Sequence, residues 1–293
     1  LYKGIEMDIG YVESKCREIR KWIFAQAYAA GGAHMGAAFS IADILGTLYF
    51  GGVLNYDAAN PCWEQRDKLI LSKGHAGVAL YAALALAGYF DTGYLKTFCQ
   101  PGSRLGGHPR INEVPGVEAS TGALGHGLSF GIGIAYANKA DGRKSHTYVI
   151  LGDGECHEGS IWEGALSAPT LKLDNLTVIV DHNKLQAMDS LENIVHMNPF
   201  VDKWKAFGWN VTEIDGHDCT AVREALFVRQ EGIPTVVIAN TIKGKGVSFM
   251  ENVPIWHYRM PDEEERKVLF EDLGFTEEEQ RELLFAKENR ICG

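Results

Sequence analysis

The chain is short of several things, and each shortage excludes something. Only 9 of its 293 residues are proline, which speaks against a Pro-rich linker or stalk. Its six cysteines (Cys16, Cys62, Cys99, Cys156, Cys219, Cys292) are scattered, with no C-x-x-C pair. That pattern excludes a disulfide-stapled mini-protein and makes reduced thiols in a cytoplasmic setting the expectation. Positive charge is scarce: 28 Lys and Arg against 38 Asp and Glu leave a net charge of −10. Non-specific nucleic-acid binding therefore has no electrostatic footing. The uncharged stretch Gly74 to Phe90 falls short of the ~20 residues a membrane span needs and reads as a buried helix. The opening residues show no basic-then-apolar leader pattern, so no export signal is expected. No G-x-x-x-x-G-K-[ST], and no G-x-G-x-x-G after a first strand, supports a generic nucleotide binder.

What is present fits a soluble globular chain: 46% hydrophobic and 23% charged residues, with 33 glycines for tight turns. The acidity is concentrated. Residues 262–290 carry eleven Asp or Glu against five Lys or Arg, a net of −6, so the remainder carries −4 of the −10. A local basic pocket for an anionic ligand is compatible with that distribution.

Hydrophobic spacing predicts a helix over Glu13–Ala30, ended by Gly31-Gly32. Ser40 and Asp43 read as a capping box opening a second helix through Phe50. Lys68–Ser72 suits a buried strand. The Gly-rich stretch from Pro101 to Gly133 then leads into an anchored helix start through Leu124, Leu128 and Ile132. Beyond it the pattern alternates. Strands are predicted at His146–Leu151, Leu176–Val180, Asn210–Ile214 and Thr235–Asn240. Helices are predicted at Glu158–Leu171, Pro199–Phe207 and Ala221–Gln230. Continuous apolar strands such as LTVIV and TVVIA suit a parallel sheet covered on both faces. The fold class is therefore α/β: a doubly wound, mostly parallel sheet with helices on both faces. Residues 1–260 make the ligand-binding domain. Residues 261–293 make an acidic helical tail of the same domain, its second helix capped by Thr276.

In such folds ligands sit at the carboxyl ends of the strands, and the chemical motifs cluster there. Gly152-Asp153-Gly154 follows one strand and Asn183 follows the next. The spacing, 183 − 153 = 30 residues, is about one β-α-β unit, so the two side chains should lie at adjacent strand ends. A carboxylate, an amide oxygen, a backbone carbonyl and two phosphate oxygens would make an oxygen shell for Mg²⁺ or Ca²⁺. Of the ten histidines, His34, His75, His108 and His257 lie in the segments GGAHMG, LSKGHAG, GGHPR and IWHYR. These suit donors and proton shuttles near neutral pH. His126, His157 and His182 flank the same motifs. His146, His196 and His217 read as surface or structural.

With these segments in order, the chain resembles the N-terminal half of a transketolase, of the kind made as a separate small subunit. The resemblance runs through IRKWIFAQAYAAGGAHMGAAFSIADILGTLYF, RDKLILSKGHAGVALYAALALAGYF, GGHPR with VPGVEASTGALGHGLSFGIGIA, GDGECHEGSIWEGA through VDHNKLQ, and TIKGKGVSFMENVPIWH. Together these cover roughly residues 13 to 260. It implies the thiamine-diphosphate-binding fold of the diphosphate-binding (PP) type. It implies that Asp153, Asn183 and the carbonyl of Leu185 bind the metal. His75, Gly152, Gly154, Glu155, Lys243 and His257 would hold the cofactor, and the backbone of Gly122, Ala123 and Leu124 would approach its rings. Lys73 and Gln186 match cofactor-side positions. His34, His108 and His257 would serve catalysis in the substrate channel, and Glu158 resembles an acid that couples paired active sites.

Two departures from the family pattern bear on the pocket. His34-Met35-Gly36 stands where H-P-G is common, and G-A-L-G-H-G replaces a commoner G-S-L-G-Q-G. The implied reaction is transfer of a two-carbon ketol unit from a ketose or ketose phosphate to an aldose. In the family the Glu that activates thiamine lies in a second, pyrimidine-binding domain. After about residue 260 only the acidic tail remains, so a separate C-terminal subunit is expected, in a dimer of heterodimers. The alternatives are a 1-deoxyxylulose-phosphate synthase or a 2-oxo acid dehydrogenase component, and a non-catalytic transketolase-like subunit. LSKGHA and the final Trp-His pair favour transketolase over the first two.

Overall fold

Apolar strands decide the architecture. The computed structural model describes residues 7–291, so Cys292 lies outside the described residues. The chain opens with helices α1 (Ile9–Ala30), α2 (Met35–Phe39) and α3 (Ala42–Phe50), then strand β1 (Lys68–Leu71) and α4 (Gly77–Leu86). After the Gly-rich segment come α5 (Gly127–Ala140), β2 (Thr147–Gly152), α6 (Gly159–Thr170) and β3 (Leu176–His182). They are followed by α7 (Leu191–Ile194), α8 (Phe200–Ala206), β4 (Asn210–Asp215), α9 (Cys219–Phe227) and β5 (Thr235–Asn240). Helices α10 (Glu263–Leu273) and α11 (Glu277–Ile291) close it. The five strands form one sheet in the order β1-β2-β3-β5-β4, with every neighbouring pair parallel.

Side chains alternate across the sheet, and both faces are buried. Val149, Leu151, Val178, Val180, Val236 and Ile238 pack with α5, α6 and α8. Tyr148, Ile150, Ile179, Val237 and Ala239 pack with α1, α3, α4, α9 and α10. This is the expected doubly wound α/β arrangement. Helix α4 is buried almost throughout, as its uncharged sequence requires, and no described helix is long and apolar enough to cross a membrane.

The acidic tail contributes to the core with one face. Leu269, Phe270 and Leu273 are buried, the Phe270 ring meets Phe24 at 5.8 Å, and Lys21 Nζ donates to Glu279 at 2.8 Å. Thr276 caps α11 as expected, its hydroxyl oxygen accepting from Glu279 N at 3.2 Å.

The structure corrects three local expectations. Ser40 does not open a helix: it ends α2, and its buried hydroxyl donates to Asp181 Oδ2 at 2.7 Å. Asp43 does not complete a capping box either, because its carboxylate is held by Arg20 Nη2 at 2.6 Å and by His217 Nδ1 at 2.7 Å. Partners distant in sequence took both side chains, which a local motif cannot reveal. Helix α9 starts at Cys219 under an Asp218 cap and stops at Phe227 rather than Gln230.

The Gly-rich segment stays irregular until α5. Its glycines allow backbone contact there: a Cβ at Gly127 would meet Ser72 Cα at 2.7 Å, so the start of α5 rests directly on the end of β1.

Candidate active site

Four strand ends converge on one cavity of about 320 Å³. Lys73 and His75 follow β1, the run Gly152–Glu155 closes β2, Asn183, Leu185 and Gln186 follow β3, and Lys243 follows β5. His34 precedes α2, while His108, Gly122 and Leu124 come from the Gly-rich segment. His257 ends the short turn 254–257, and all of these residues line the cavity. Of the expected site residues, Ala123 is exposed and off the cavity wall, and Glu158 is exposed at the N-cap of α6.

The oxygen-bearing side is held by backbone. Asp153 Oδ1 accepts from Gly154 N at 2.7 Å and Oδ2 from Lys184 N at 2.6 Å. Asn183 Oδ1 accepts from Leu185 N at 3.1 Å. The thirty-residue spacing thus does bring the turn after β3 onto Asp153. Asp153 and Asn183 are both buried. Glu155 lines the cavity, but its carboxylate staples the walls: Oε1 accepts from the Ser72 hydroxyl at 2.5 Å and Gly125 N at 2.8 Å, and Oε2 accepts from Gly152 N at 3.0 Å. Burial pushes its pKa up, and those three donors oppose the rise.

The opposite side is a histidine cluster. The His34 ring lies 4.9 Å from His257, 5.4 Å from His75 and 6.4 Å from His108 between centroids. Tyr258 packs on His34 at 4.8 Å. Burial, with Lys73 and the neighbouring imidazoles, lowers His75 well below its ordinary pKa. Burial, Lys243, His34 and Lys73 lower His257 to about 4, and burial followed by His108 and Lys243 lowers His34. These three rings are neutral near pH 7. His257 Nδ1 is buried and has no hydrogen-bond partner among the described residues.

Two lysines complete the lining. Lys243 Nζ donates to the Gln186 carbonyl at 2.7 Å. Burial and Lys73 lower its pKa to about 8, against the pull of Asp153 and Asp181. Lys73 pairs with Asp181 and donates to the Ala37 carbonyl at 3.0 Å.

Asp181 is the residue sequence reasoning missed. It is fully buried and accepts from Lys73, Ser40, Thr241 and Asn183 Nδ2. Burial alone would raise its pKa, but Lys73 holds it below the usual carboxylate range. The available signal was an ionisable residue at the end of the apolar run VIVD.

Of the flanking histidines, His126 is exposed, with Nδ1 3.1 Å from the Leu124 carbonyl. His157 Nδ1 meets Gln186 Nε2 at 3.0 Å, and His182 packs on Phe200 with ring centroids 5.3 Å apart. None lines the cavity. His196 is exposed, and His146 and His217 make structural contacts with Thr177 and Asp43.

The family model described as transketolase, thiamine diphosphate binding domain, matches residues 13–284. The chain belongs to that family. Among its relatives, one of the subunits of the apulose-4-phosphate transketolase of Actinobacillus succinogenes is 44% identical over 264 residues, covering 89% of this chain and 95% of the relative. The 6-deoxy-6-sulfo-D-fructose transketolase subunit SqwG of a Clostridium species is 40% identical, covering 89% and 96%. Among solved structures, transketolase from Campylobacter jejuni superposes with a TM-score of 0.85 at 30% identity, covering 96% of this chain and 47% of that one. The chain thus spans nearly the whole of the split-subunit relatives and under half of that single-chain enzyme.

Proposed function

We propose that this chain is the diphosphate- and metal-binding subunit of a two-subunit transketolase. It works with a separate C-terminal subunit, as a dimer of heterodimers, on a ketose or ketose phosphate donor and an aldose acceptor. The observation that carries the reading is the cavity on which the ends of β1, β2, β3 and β5 converge. There, oxygen donors on Asp153 and Asn183 face nitrogen donors on Lys243 and the histidine cluster. The subunit naming of the relatives supports the partner.

The residues present fit the cofactor. Gly154 leaves a cradle at the end of β2, where a Cβ would meet Gln186 Cγ at 3.0 Å. A carboxylate, an amide oxygen and the Leu185 carbonyl form the hard oxygen set that Mg²⁺ or Ca²⁺ takes together with phosphate oxygens. His75, Gly154, Lys243 and His257 would hold the diphosphate, Gly152 and Glu155 would shape its floor, and Gly122 and Leu124 would border the rings. Exposed Ala123 carries less of that role. Lys73, paired to Asp181, fixes the wall behind.

Thiamine diphosphate supplies, when bound, the electron sink for cleaving and forming a bond beside a ketone. The chain's own part is binding, orientation and proton handling. His34, His108 and His257 reach the substrate space. Being neutral near pH 7, His34 and His257 can each accept a hydrogen bond at one ring nitrogen and donate at the other. The partnerless Nδ1 of His257 is the atom we assign to a substrate hydroxyl proton. Glu158 is exposed at the N-cap of α6, and Phe130 and Tyr136 on α5 and Leu166 on α6 are exposed too, which suits a contact of these two helices with the second half of the assembly.

The test is to purify the chain alone and with a candidate C-terminal subunit, then measure ketol transfer and calorimetric binding of thiamine diphosphate with Mg²⁺. Transfer only in the mixture is expected. Full transfer by the chain alone would overturn the split site. Binding without transfer in every mixture would favour a non-catalytic subunit.

A further inference from the structure

Away from the cavity, the described residues hold a buried cluster of two thiols and a carboxylate. Cys16 on α1, Asp43 on α3 and Cys219 at the start of α9 place their reactive atoms within 4.8 Å of one another. Cys16 Sγ and Cys219 Sγ are 3.9 Å apart, across 203 residues of sequence. Gly46 makes room for this approach, since a Cβ there would meet Cys16 Sγ at 2.3 Å.

A metal centre does not fit the cluster. Asp43 is occupied by Arg20 Nη1 at 2.9 Å, Arg20 Nη2 at 2.6 Å and His217 Nδ1 at 2.7 Å. Ile242 N donates to His217 Nε2 at 2.8 Å, so the ring proton sits on Nδ1 and points at Asp43. Two thiols and an engaged carboxylate beside a guanidinium fall short of the four ligands a tetrahedral site takes.

The two thiols are unequal. Cys16 and Cys219 share one S–H···S contact in which either sulfur can donate, and burial and Asp43 disfavour the thiolate at both. Their positions differ: Cys219 is the first residue of a nine-residue helix, where the helix dipole favours a thiolate, whereas Cys16 lies within α1. The pair therefore has an attacking member and a resolving member.

We infer that Cys16 and Cys219 are a peroxide-reactive dithiol that closes reversibly into a disulfide tying α1 to α9. Cys219 thiolate attacks one oxygen of hydrogen peroxide. The O–O bond breaks, a sulfenic acid forms on Cys219, and hydroxide leaves and takes up a proton as water. Cys16 sulfur then attacks the sulfenic sulfur. The S–S bond forms, the S–O bond breaks, and the oxygen leaves as a second water carrying the Cys16 proton. Two thiols lose two electrons and one peroxide gains them. The sulfurs close by about 2 Å to reach disulfide length. The bond would lie beside Asp43, whose partner Arg20 also holds the Lys245 carbonyl at 3.0 Å. With His217 on Ile242, this ties the cluster to both sides of Lys243.

The full chain is treated with hydrogen peroxide, alkylated, digested without reductant and mapped by mass spectrometry. The expected result is a joined pair of peptides containing Cys16 and Cys219, an intact mass lower by two hydrogens, and reversal by dithiothreitol. In C16S the joined pair is absent and Cys219 gains oxygen instead. Oxidation confined to the exposed thiols Cys62 and Cys99, with Cys16 and Cys219 still alkylatable after unfolding, would overturn the inference. So would zinc that co-purifies and must be chelated before either thiol reacts. The wild-type map decides the matter even if C16S does not fold.

Discussion

Asn183 Nδ2 donates to Asp181 Oδ2 at 2.9 Å, so one buried carboxylate both neutralises Lys73 and sets the rotation of the Asn183 amide. With its nitrogen committed, Asn183 keeps its oxygen on the cavity side. Replacing Asp181 by Asn leaves the Lys73 ammonium buried without an anion. The expected cost is about 3–5 kcal/mol of stability. The amide is also freed to turn, and loss of such a supporting partner typically weakens metal binding by about 10–100-fold. Chemical denaturation checks the first effect. Mg²⁺ titration at saturating thiamine diphosphate checks the second, and unchanged Mg²⁺ affinity in a folded variant would remove Asp181 from the orienting role.

Acid should unfold this protein partly through its histidine cluster. His257 is lowered to about 4 by burial, Lys243, His34 and Lys73, against about 6.5 in an unfolded chain. Between those values the unfolded state binds the additional proton, so stability rises with pH across that window and falls as pH drops through it. One such group adds a slope of at most about 1.4 kcal/mol per pH unit, and partial solvent access reduces it. His257→Gln is expected to flatten the stability profile between pH 4 and 6.5. Denaturant unfolding at several pH values measures this, and an unchanged slope contradicts a neutral, half-buried His257.

Lys243 offers a pH test of ligand binding. Its pKa is lowered to about 8 by burial and Lys73, so it is mostly charged at pH 7 and loses its proton above pH 8. Affinity for a diphosphate should therefore weaken as pH rises through that value. Lys243→Met should bind about tenfold or more weakly at pH 7, equivalent to ~1.4 kcal/mol, and should lose the step near pH 8. Calorimetry with thiamine diphosphate and Mg²⁺ at pH 7 and 9 makes the comparison. A step that survives in Lys243→Met belongs to another group.

The sheet was legible because four of its five strands are short apolar runs, and the half-exposed edge strand β4 follows the same alternation of strand and helix. The Asp153–Asn183 neighbourhood was legible because a β-α-β unit has a nearly fixed length. Helix α2 was not, since five residues, Met35–Phe39, are too few to show a helical repeat. Ser40 and Asp43 misled for a different reason. Their spacing satisfies a local cap, yet Asp181, Arg20 and His217 claim them across the fold. Asp181 itself was hidden because its role depends on Ser40, Lys73 and Thr241, three partners from three other segments. The four histidines stood out from their Gly-, Lys- or Trp-flanked settings, but that their rings gather in one cluster follows only from the fold. The partial burial and the nearby lysines that keep His34, His75 and His257 neutral follow only from packing.

Gly122 tests the wall between His108 and β1. Its φ is +142°, a backbone state that side chains disfavour, and a Cβ there would meet His108 Cδ2 at 2.9 Å. On its other side, a Cβ at Gly74 would meet Gly122 N at 2.7 Å, so the segment cannot retreat toward β1. Gly122→Ala must strain the turn or push His108 aside, at about 1–3 kcal/mol. His108 is assigned to the substrate space and not to the metal. The variant should therefore raise the KM for the sugar while leaving Mg²⁺ affinity near the wild-type value. Steady-state kinetics of the assembled enzyme, beside a metal titration, separates the two. A matched loss of both would mean that Gly122 supports the cofactor floor as a whole, and an unchanged KM would take His108 out of the substrate channel.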